Sequence, residues 1–136
     1  MSITTRGRVV AVLDSEMFSA LLRDDRDAWA EYEGLHESGA RIVVTANTII
    51  EGTHPRTHPA RLAWVLDQLQ VEHVTKTSAV ESVSLLRSAG MHGHSAAIDS
   101  TVAELALRDK EQATIYTSDP KDMHRLTDGA VRIVRR

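Results

Sequence analysis

The sequence predicts an α/β fold, in which a parallel sheet of about five strands lies between two layers of helices. Two observations lead to this prediction. Short β-branched runs alternate with helical stretches of ordinary length, and the first run, residues 9–13, is apolar at every position. A continuously apolar strand is typical of a parallel sheet covered on both faces. The 136 residues are enough for one core, so we expect a single α/β/α domain over residues 1–136.

The first half of the chain contains two strands and the helices that follow them. We expect strands at 9–13 and 41–44, with helices after Asp14 and over 24–38. Gly39 is a natural stop for the second of these helices. The apolar residues of the two helices recur at helical spacing, and they are Phe18, Leu21, Leu22, Trp29, Tyr32 and Leu35.

The middle of the chain is interrupted by glycine and proline. A short helix over 46–51 is cut by Gly52, and residues 52–59 hold two prolines and two histidines, which predicts a loop. Residues 60–69 then predict a helix, and residues 71–74 predict a third, shorter strand. The preceding Ile49 and Ile50 are expected to be buried.

The last part of the chain repeats the alternation. Residues 77–89 predict a helix that buries Val80, Val83 and Leu86, and residues 91–95 predict a loop. Ser95 is a good N-cap for a helix that runs through Leu107. The remaining elements are expected to be a strand at 113–117, a helix over 120–126 and a strand at 130–134.

Composition narrows the class of protein. The absence of cysteine excludes disulfides and Cys-ligated zinc and fits a reducing cytosol. No apolar run approaches the roughly 20 residues of a membrane span, and residues 1–8 lack the apolar core of a signal peptide. We therefore expect a cytoplasmic protein without a membrane anchor. Because the net charge is −3, an anionic substrate would need a local basic patch or a bound metal.

Two carboxylates follow strands at their carboxyl ends. Asp14 comes directly after the first strand, and Asp119 follows the strand at 113–117 and precedes Pro120. Each is also a good N-cap for the helix behind it. Ligands of open α/β sheets bind beyond the carboxyl ends of the strands, so both residues are also candidates for a binding site.

Two further carboxylates lack a comparable structural reason. Glu51 ends a short helix, where its charge opposes the helix dipole. Asp99 lies one turn into a predicted helix, and its neighbours on the same face are small and apolar. A lone carboxylate on such a face is costly unless it is paired or binds a metal. The other interpretations are solvent exposure for Glu51 and a favourable first-turn position for Asp99.

Together the four acids indicate a metal site. They meet at one edge if the first and fourth strands are neighbours, and four carboxylates within a few Å do not all stay ionised without a cation. A set of oxygen ligands suits Mg²⁺ or Mn²⁺ rather than zinc. Such a site orients a phosphodiester and activates water. The residues therefore predict metal-dependent phosphodiester hydrolysis.

At this point the sequence resembles the PIN-domain ribonucleases, and among them most the VapC toxins of bacterial toxin–antitoxin pairs. The resemblance covers nearly the whole chain in order, spacing and length. The matching stretches are Val12-Leu13-Asp14-Ser15, Ile49-Ile50-Glu51, Ile98-Asp99-Ser100 and Thr117-Ser118-Asp119-Pro120.

The resemblance implies a PIN-like α/β/α sandwich with an acidic pocket for Mg²⁺ or Mn²⁺ and endonucleolytic cleavage of RNA. Carried over residue by residue, it implies that the catalytic and metal-binding acids are Asp14, Glu51, Asp99 and Asp119. An RNA substrate, an antitoxin partner and a homodimer are implied in the same way.

The resemblance also implies supporting residues and shows one departure. Ser15, Ser118 and Asp122 match positions that support the four acids. Many relatives carry a further Asp three residues before the helix Asp, where this chain has Ala96. A second metal ion would then be held more weakly, or one ion would suffice.

The histidines give weaker signals. His54 and His58 are four residues apart, a spacing that binds zinc on a helix, but two prolines interrupt this stretch. His92 and His94 lie in the predicted loop before Asp99 and are candidate substrate contacts. Loops at the edge of a sheet often carry function, and the alternative is that all four are ordinary surface residues.

The aromatic residues of the early helices have two interpretations. Trp29 and Tyr32 at helical spacing favour packing over base stacking. In VapC-like proteins the early helices form a groove for an antitoxin segment, and an exposed Trp29 and Phe18 would suit an amphipathic partner helix.

The main alternative function is a catalytically weak or inactive PIN-like module that binds RNA or another protein. Covalent catalysis by serine is disfavoured because there is no Gly-x-Ser-x-Gly elbow. A nucleotide-binding fold is disfavoured because no glycine-rich loop follows the first strand. A phosphoaspartate receiver also places Asp at a strand end, but it does not explain Glu51 and Asp99.

Overall fold

A computed structural model describes residues 8–136 of the chain. Residues 1–7, on which most of the signal-peptide expectation depended, lie outside the described part. The described strands form one parallel sheet in the order β3-β2-β1-β4-β5. They are β1 (Val10–Leu13), β2 (Arg41–Thr45), β3 (Gln70–Glu72), β4 (Ala113–Thr117) and β5 (Arg132–Arg135).

Helices connect the strands and cover both faces of the sheet. They are α1 (Ser15–Leu22), α2 (Arg26–Glu37), α3 (Ala46–Gly52), α4 (Pro59–Asp67), α5 (Lys76–Ala89), α6 (Gly93–Leu107) and α7 (Pro120–Thr127). β4 spans the predicted residues, whereas β3 ends two residues earlier than predicted and β5 begins two residues later. Within residues 8–136, none of the helices combines the length and the apolar character that a membrane crossing requires.

Two hydrophobic cores lie on opposite faces of the sheet. Val10 and Val12 of β1 pack with residues of α5, α6 and α7 on one face. Ala11 and Leu13 pack with residues of α1, α2 and α4 on the other. All four residues are buried, because side chains alternate between the two faces along a strand. The predicted three-layer α/β/α arrangement is therefore confirmed.

The strand order creates a crevice beside β1. The chain runs outward from β1 through β2 to β3 and then crosses back, so that β4 pairs with β1 on its free side. Leu13 lies beside Tyr116 in this pairing, and the N–H of Asp14 donates to the Tyr116 carbonyl over 3.0 Å. A parallel sheet opens its ligand crevice where the strand order reverses, and Asp14 lies at that point.

The predicted buried face of α5 is confirmed at Leu86 and wrong at Val80 and Val83. These two valines are 58% and 44% exposed, and the helix buries Ser78 and Ser82 beside Leu86. The Ser82 hydroxyl donates to the Ser78 carbonyl over 2.9 Å, and the Ser78 hydroxyl accepts the Thr75 N–H over 2.7 Å. Because these small hydroxyls are satisfied within their own helix, they can be buried without an unpaired polar atom.

The start of α6 also differs from the prediction. The helix begins at Gly93, with His92 rather than Ser95 as its N-cap, and His92 Nδ1 accepts the His94 N–H over 2.9 Å. Ala96 then departs from helical geometry, with φ −122° and ψ 15°. The helix is therefore kinked just before the turn that carries Asp99.

Candidate active site

Asp14 lines the site at the end of β1, and its carboxylate has two structural partners. One carboxylate oxygen, Oδ1, accepts the Met17 N–H over 2.9 Å and caps α1, while Oδ2 accepts the Ser118 N–H over 3.0 Å. The side chain is 5% exposed. Asp14 is therefore an N-cap, as one interpretation of the sequence had it, and it also joins the end of β1 to the segment behind β4.

Asp119 lies across the crevice from Asp14. Its side chain caps α7 by accepting the Asp122 N–H over 3.4 Å, and its own N–H donates to Thr117 Oγ1 over 2.9 Å. The carboxylate is exposed. The backbone of this residue is thus fixed from both sides while its side chain remains open to a ligand.

Glu51 reaches the site from the end of α3. The Ser15 hydroxyl, on the first residue of α1, donates to its carboxylate. The neighbouring Ile50 is 76% exposed, so its predicted burial is wrong. Ile50 and Glu51 are both exposed, as the alternative interpretation of Glu51 expected, and the Glu51 carboxylate nevertheless contacts Ser15 of α1.

Gly52 makes this approach of α3 to α1 feasible. A Cβ atom at this position would lie 2.8 Å from the Ser15 carbonyl oxygen and 2.9 Å from Cδ2 of Phe18. Sequence reasoning treated Gly52 as a helix stop and missed this role. The available signal was its place directly after an acid that lacked a structural reason.

Asp99 is the acid most affected by its surroundings. The pKa of Asp99 is raised from 3.8 to about 6, first by burial and then by the nearby charges of four acids, Glu51, Asp14, Asp119 and Asp122. The charges of the other three predicted acids all act on Asp99, and the four acids line one cleft.

Asp122 is closer to the centre than a supporting role suggested. In the described part of the chain, carboxylate oxygens of Asp99, Asp119 and Asp122 lie within 4.8 Å of one another. Burial, together with a hydrogen bond and charge from Asp119, raises the pKa of Asp122. Crowded carboxylates raise one another's pKa in this way unless a cation balances their charge.

The acids line an open cleft with a volume of about 320 Å³. Its walls offer hydroxyl and carboxylate oxygens and no nitrogen ligand, which is the donor set that Mg²⁺ and Mn²⁺ prefer. The residues present therefore fit the predicted class of metal. The residues of the prediction that line this cleft are Asp14, Ser15, Glu51, Asp99, Ser118 and Asp119.

Three other predictions concern residues outside this cleft. His92 and His94 do not line it, because His92 is used as the N-cap of α6. Phe18 is fully buried, so the alternative in which it is exposed to a partner helix is wrong. Trp29 is packed as predicted, since its Nε1–H donates to the Leu21 carbonyl over 3.0 Å and its ring meets Tyr32 edge-on.

An α/β/α sandwich with an acidic cleft at its strand switch point is the class of protein that these observations define. No family model and no curated protein matches this sequence. Among solved structures, seven chains match. One belongs to the crystal structure of VapBC2 from Rickettsia felis bound to a DNA fragment from their promoter, with a TM-score of 0.72.

That match extends over almost all of both molecules. It covers 94% of this chain and 99% of the other, at 15% sequence identity. At this identity the likeness shows a shared fold. The predicted PIN-like fold class is confirmed, and so is the resemblance to VapC-type proteins at the level of the fold.

Proposed function

We propose that this chain is a metal-dependent endoribonuclease of the PIN type, which hydrolyses RNA phosphodiester bonds. The main support is the convergence of four acids from four elements on one edge of the sheet. They come from the end of β1, the end of α3, the first half of α6 and the segment behind β4. The residues proposed as catalytic are Asp14, Glu51, Asp99 and Asp119.

The same acids are proposed to hold Mg²⁺ or Mn²⁺, with Asp122 as an additional ligand or neighbour. Such an ion would supply positive charge that orients the phosphodiester and stabilises the negative charge of the transition state. Metal ligands must be deprotonated, so we expect a bound ion to lower the pKa of Asp99 and to stabilise its ionised form.

The residues around the acids are proposed to position them. Ser15 donates its hydroxyl to Glu51, and the Ser118 N–H donates to Asp14. Both bonds fix the orientation of a carboxylate before any ligand arrives, which is how supporting residues tune a metal site. A site arranged in advance pays less reorganisation energy during the reaction.

The biological role that we propose is that of the toxin in a toxin–antitoxin pair. Support comes from the fold shared over 99% of a chain of the VapBC2 structure. An antitoxin protein as partner, a homodimer and a cytoplasmic location belong to the same proposal.

The second candidate is a PIN-like module that binds RNA or protein with weak or no catalysis. Ala96 favours it, since this residue is 4% exposed and packs in the core where many relatives carry an acid. Asp122 favours the enzyme, because it adds a carboxylate to the group around Asp99.

Cleavage of a labelled mixed RNA pool tests the enzyme proposal. We expect cleavage by the wild-type chain with Mn²⁺, and loss of cleavage with EDTA and in the Asp99→Asn variant. Asp67→Asn is the matched control, because Asp67 is an exposed acid at the end of α4. We expect this variant to cleave RNA like wild type. RNA bound but left intact by the wild-type chain would instead support the binding module.

A further inference from the structure

A second cleft adjoins the acidic one and has the opposite character. It lies between α1 and the segment that joins α3 to α4, has a volume of about 460 Å³, and shares Ser19 and Gly52 with the acidic cleft. Among residues 8–136, none of those that line this second cleft is acidic. Its basic lining consists of Arg23, His54, Arg56, His58 and Arg61.

The backbone of Arg56 is held in a turn, and its guanidinium has no partner within the described residues. The Thr57 N–H donates to the His54 carbonyl over 2.9 Å, which closes a turn with Pro55 at its second position. The Arg56 N–H donates to His54 Nδ1 over 3.0 Å. Within residues 8–136 the Arg56 guanidinium has no ion pair and no hydrogen bond, and the residue is exposed. The chain thus holds the backbone of Arg56 in place and leaves its side chain for a ligand.

The two histidines of the cleft are fixed as hydrogen-bond donors. His54 Nδ1 accepts the Arg56 N–H, and His58 Nδ1 accepts the Ala60 N–H over 3.0 Å. A ring nitrogen that accepts a hydrogen bond carries no proton, so each neutral imidazole has its proton on Nε2. Both rings therefore offer an Nε2–H to an anionic oxygen.

The other two arginines are held by the protein itself. Arg61 donates to the Leu21 carbonyl over 2.8 Å, and its guanidinium lies over the Trp64 ring at 5.1 Å. Arg23 pairs with Glu16 at 3.2 Å. Arg61 also pairs with Asp24 at 3.5 Å, so its charge, like that of Arg23, is balanced within the protein. Arg56 is left as the guanidinium of this cleft that is available to a ligand.

We propose that this basic cleft binds the phosphate backbone of the RNA strand beside the bond held in the acidic cleft. This inference rests on the proposed nuclease function. A chain with a net charge of −3 and a cleft of carboxylates repels RNA, so it needs local positive charge next to the reacting phosphate. Phosphate contacts of this kind fix the register of a strand without reading its sequence.

The substitution Arg56→Ala tests the proposal with little risk to the fold, because the side chain has no internal partner in the described residues. The matched control is Arg87→Ala, an exposed arginine of α5, a helix that packs on the opposite face of the sheet. Both are introduced into the Asp99→Asn background, and the affinity for a fluorescein-labelled single-stranded RNA is measured by anisotropy in Mg²⁺ at several salt concentrations.

We expect Arg56→Ala to weaken RNA binding several-fold and to reduce the slope of log K against log salt by about 0.7, the value for one phosphate contact on a single strand. Arg87→Ala should change neither. In the catalytically intact chain, Arg56→Ala should raise KM and leave kcat nearly unchanged, since it removes binding that is equal in the ground and transition states.

The outcomes separate this inference from the function on which it rests. Equal losses of RNA affinity in the two arginine variants, or no loss in Arg56→Ala, would contradict RNA binding by the basic cleft even if the wild-type chain cuts RNA. Binding that depends on Arg56 in a chain that never cuts RNA would support the cleft and overturn the nuclease.

Discussion

Asp99 shows at the scale of one residue what the acidic cleft costs the fold. It lies on a helix face whose other members, Val102, Ala103 and Ala106, are fully buried. Burial and four neighbouring acids raise its pKa from 3.8 to about 6. The folded state therefore binds this proton more tightly than the unfolded chain does, and the charged form is destabilising near neutral pH.

The Asp99→Asn variant should be more stable than wild type in EDTA near neutral pH. A pKa raised from 3.8 to about 6 corresponds to about 3 kcal/mol for a fully buried group, and solvent screening reduces our expectation to about 1–2 kcal/mol. Urea unfolding at pH 7.5 measures this difference. A variant less stable than wild type would show that Asp99 is a structural residue.

The higher stability of Asp99→Asn relative to wild type should also depend on pH in a defined direction. Because the folded pKa of Asp99 is raised, wild type loses stability as pH increases from about 4 to about 6. The difference between Asp99→Asn and wild type should be small below pH 4 and complete above pH 6. A difference that stays constant from pH 4 to pH 8 would exclude the charge of Asp99 as its origin.

Ser15 is predicted to act through Glu51. Its hydroxyl donates to the Glu51 carboxylate, and loss of such a supporting partner lowers metal affinity or activity by about 10- to 100-fold. We expect Ser15→Ala to raise the Mn²⁺ concentration needed for half-maximal RNA cleavage. Ser88→Ala, at an exposed position of α5, serves as the control and should leave it unchanged.

At the scale of elements, the junction of α3 with α1 decides where Glu51 lies. Gly52→Ala would place a Cβ atom 2.8 Å from the Ser15 carbonyl oxygen, so the two helices must separate. We expect a loss of about 1–3 kcal/mol of stability and a larger loss of activity than the stability change alone explains. Thermal unfolding and RNA cleavage are measured on the same sample.

Gly34→Ala is the matched control for that substitution. Gly34 lies inside α2, and a Cβ atom there would have no neighbour within 4 Å. Alanine is better than glycine in a helix interior by roughly 0.5–1 kcal/mol, so this variant should be slightly more stable and fully active. Similar losses in both glycine variants would show that the α3–α1 contact has no special role.

Helices and strands could be predicted from the sequence where the local pattern was compatible with only one structure. β4 has its predicted bounds because its β-branched run ends at a turn signal. The face of α5 was not predictable, because its serines and valines both recur at helical spacing. In the folded chain Ser78 and Ser82 are buried and Val80 and Val83 are exposed, a choice that depends on tertiary packing and that no local rule decides.

At the scale of the whole molecule, the strand order brings the acids of the site to the same edge of the sheet. Asp14 and Asp119 were predicted because each follows a strand, but their proximity depends on the pairing of β1 with β4. That pairing joins segments about a hundred residues apart, as the bond from the Ser118 N–H to Asp14 shows. Asp122 was predicted only as a supporting residue, and the basic cleft beside Gly52 was not predicted, because the spatial grouping of these residues depends on the same long-range arrangement.

Because the acidic cleft exists only in the folded chain, metal binding should increase the stability of the folded protein. Ligands that bind the folded state alone raise its stability, by about 2.7 kcal/mol at 100 times Kd, which shifts Tm by on the order of 10 °C for a chain of this size. We expect Mg²⁺ or Mn²⁺ to raise the Tm of wild type and of Asp67→Asn, and to raise that of Asp119→Asn much less. Because the metal replaces the proton of Asp99, the shift should be larger at pH 7.5 than at pH 5. An equal shift in all three proteins would place the metal elsewhere, and no shift at millimolar metal would contradict the proposed metal site.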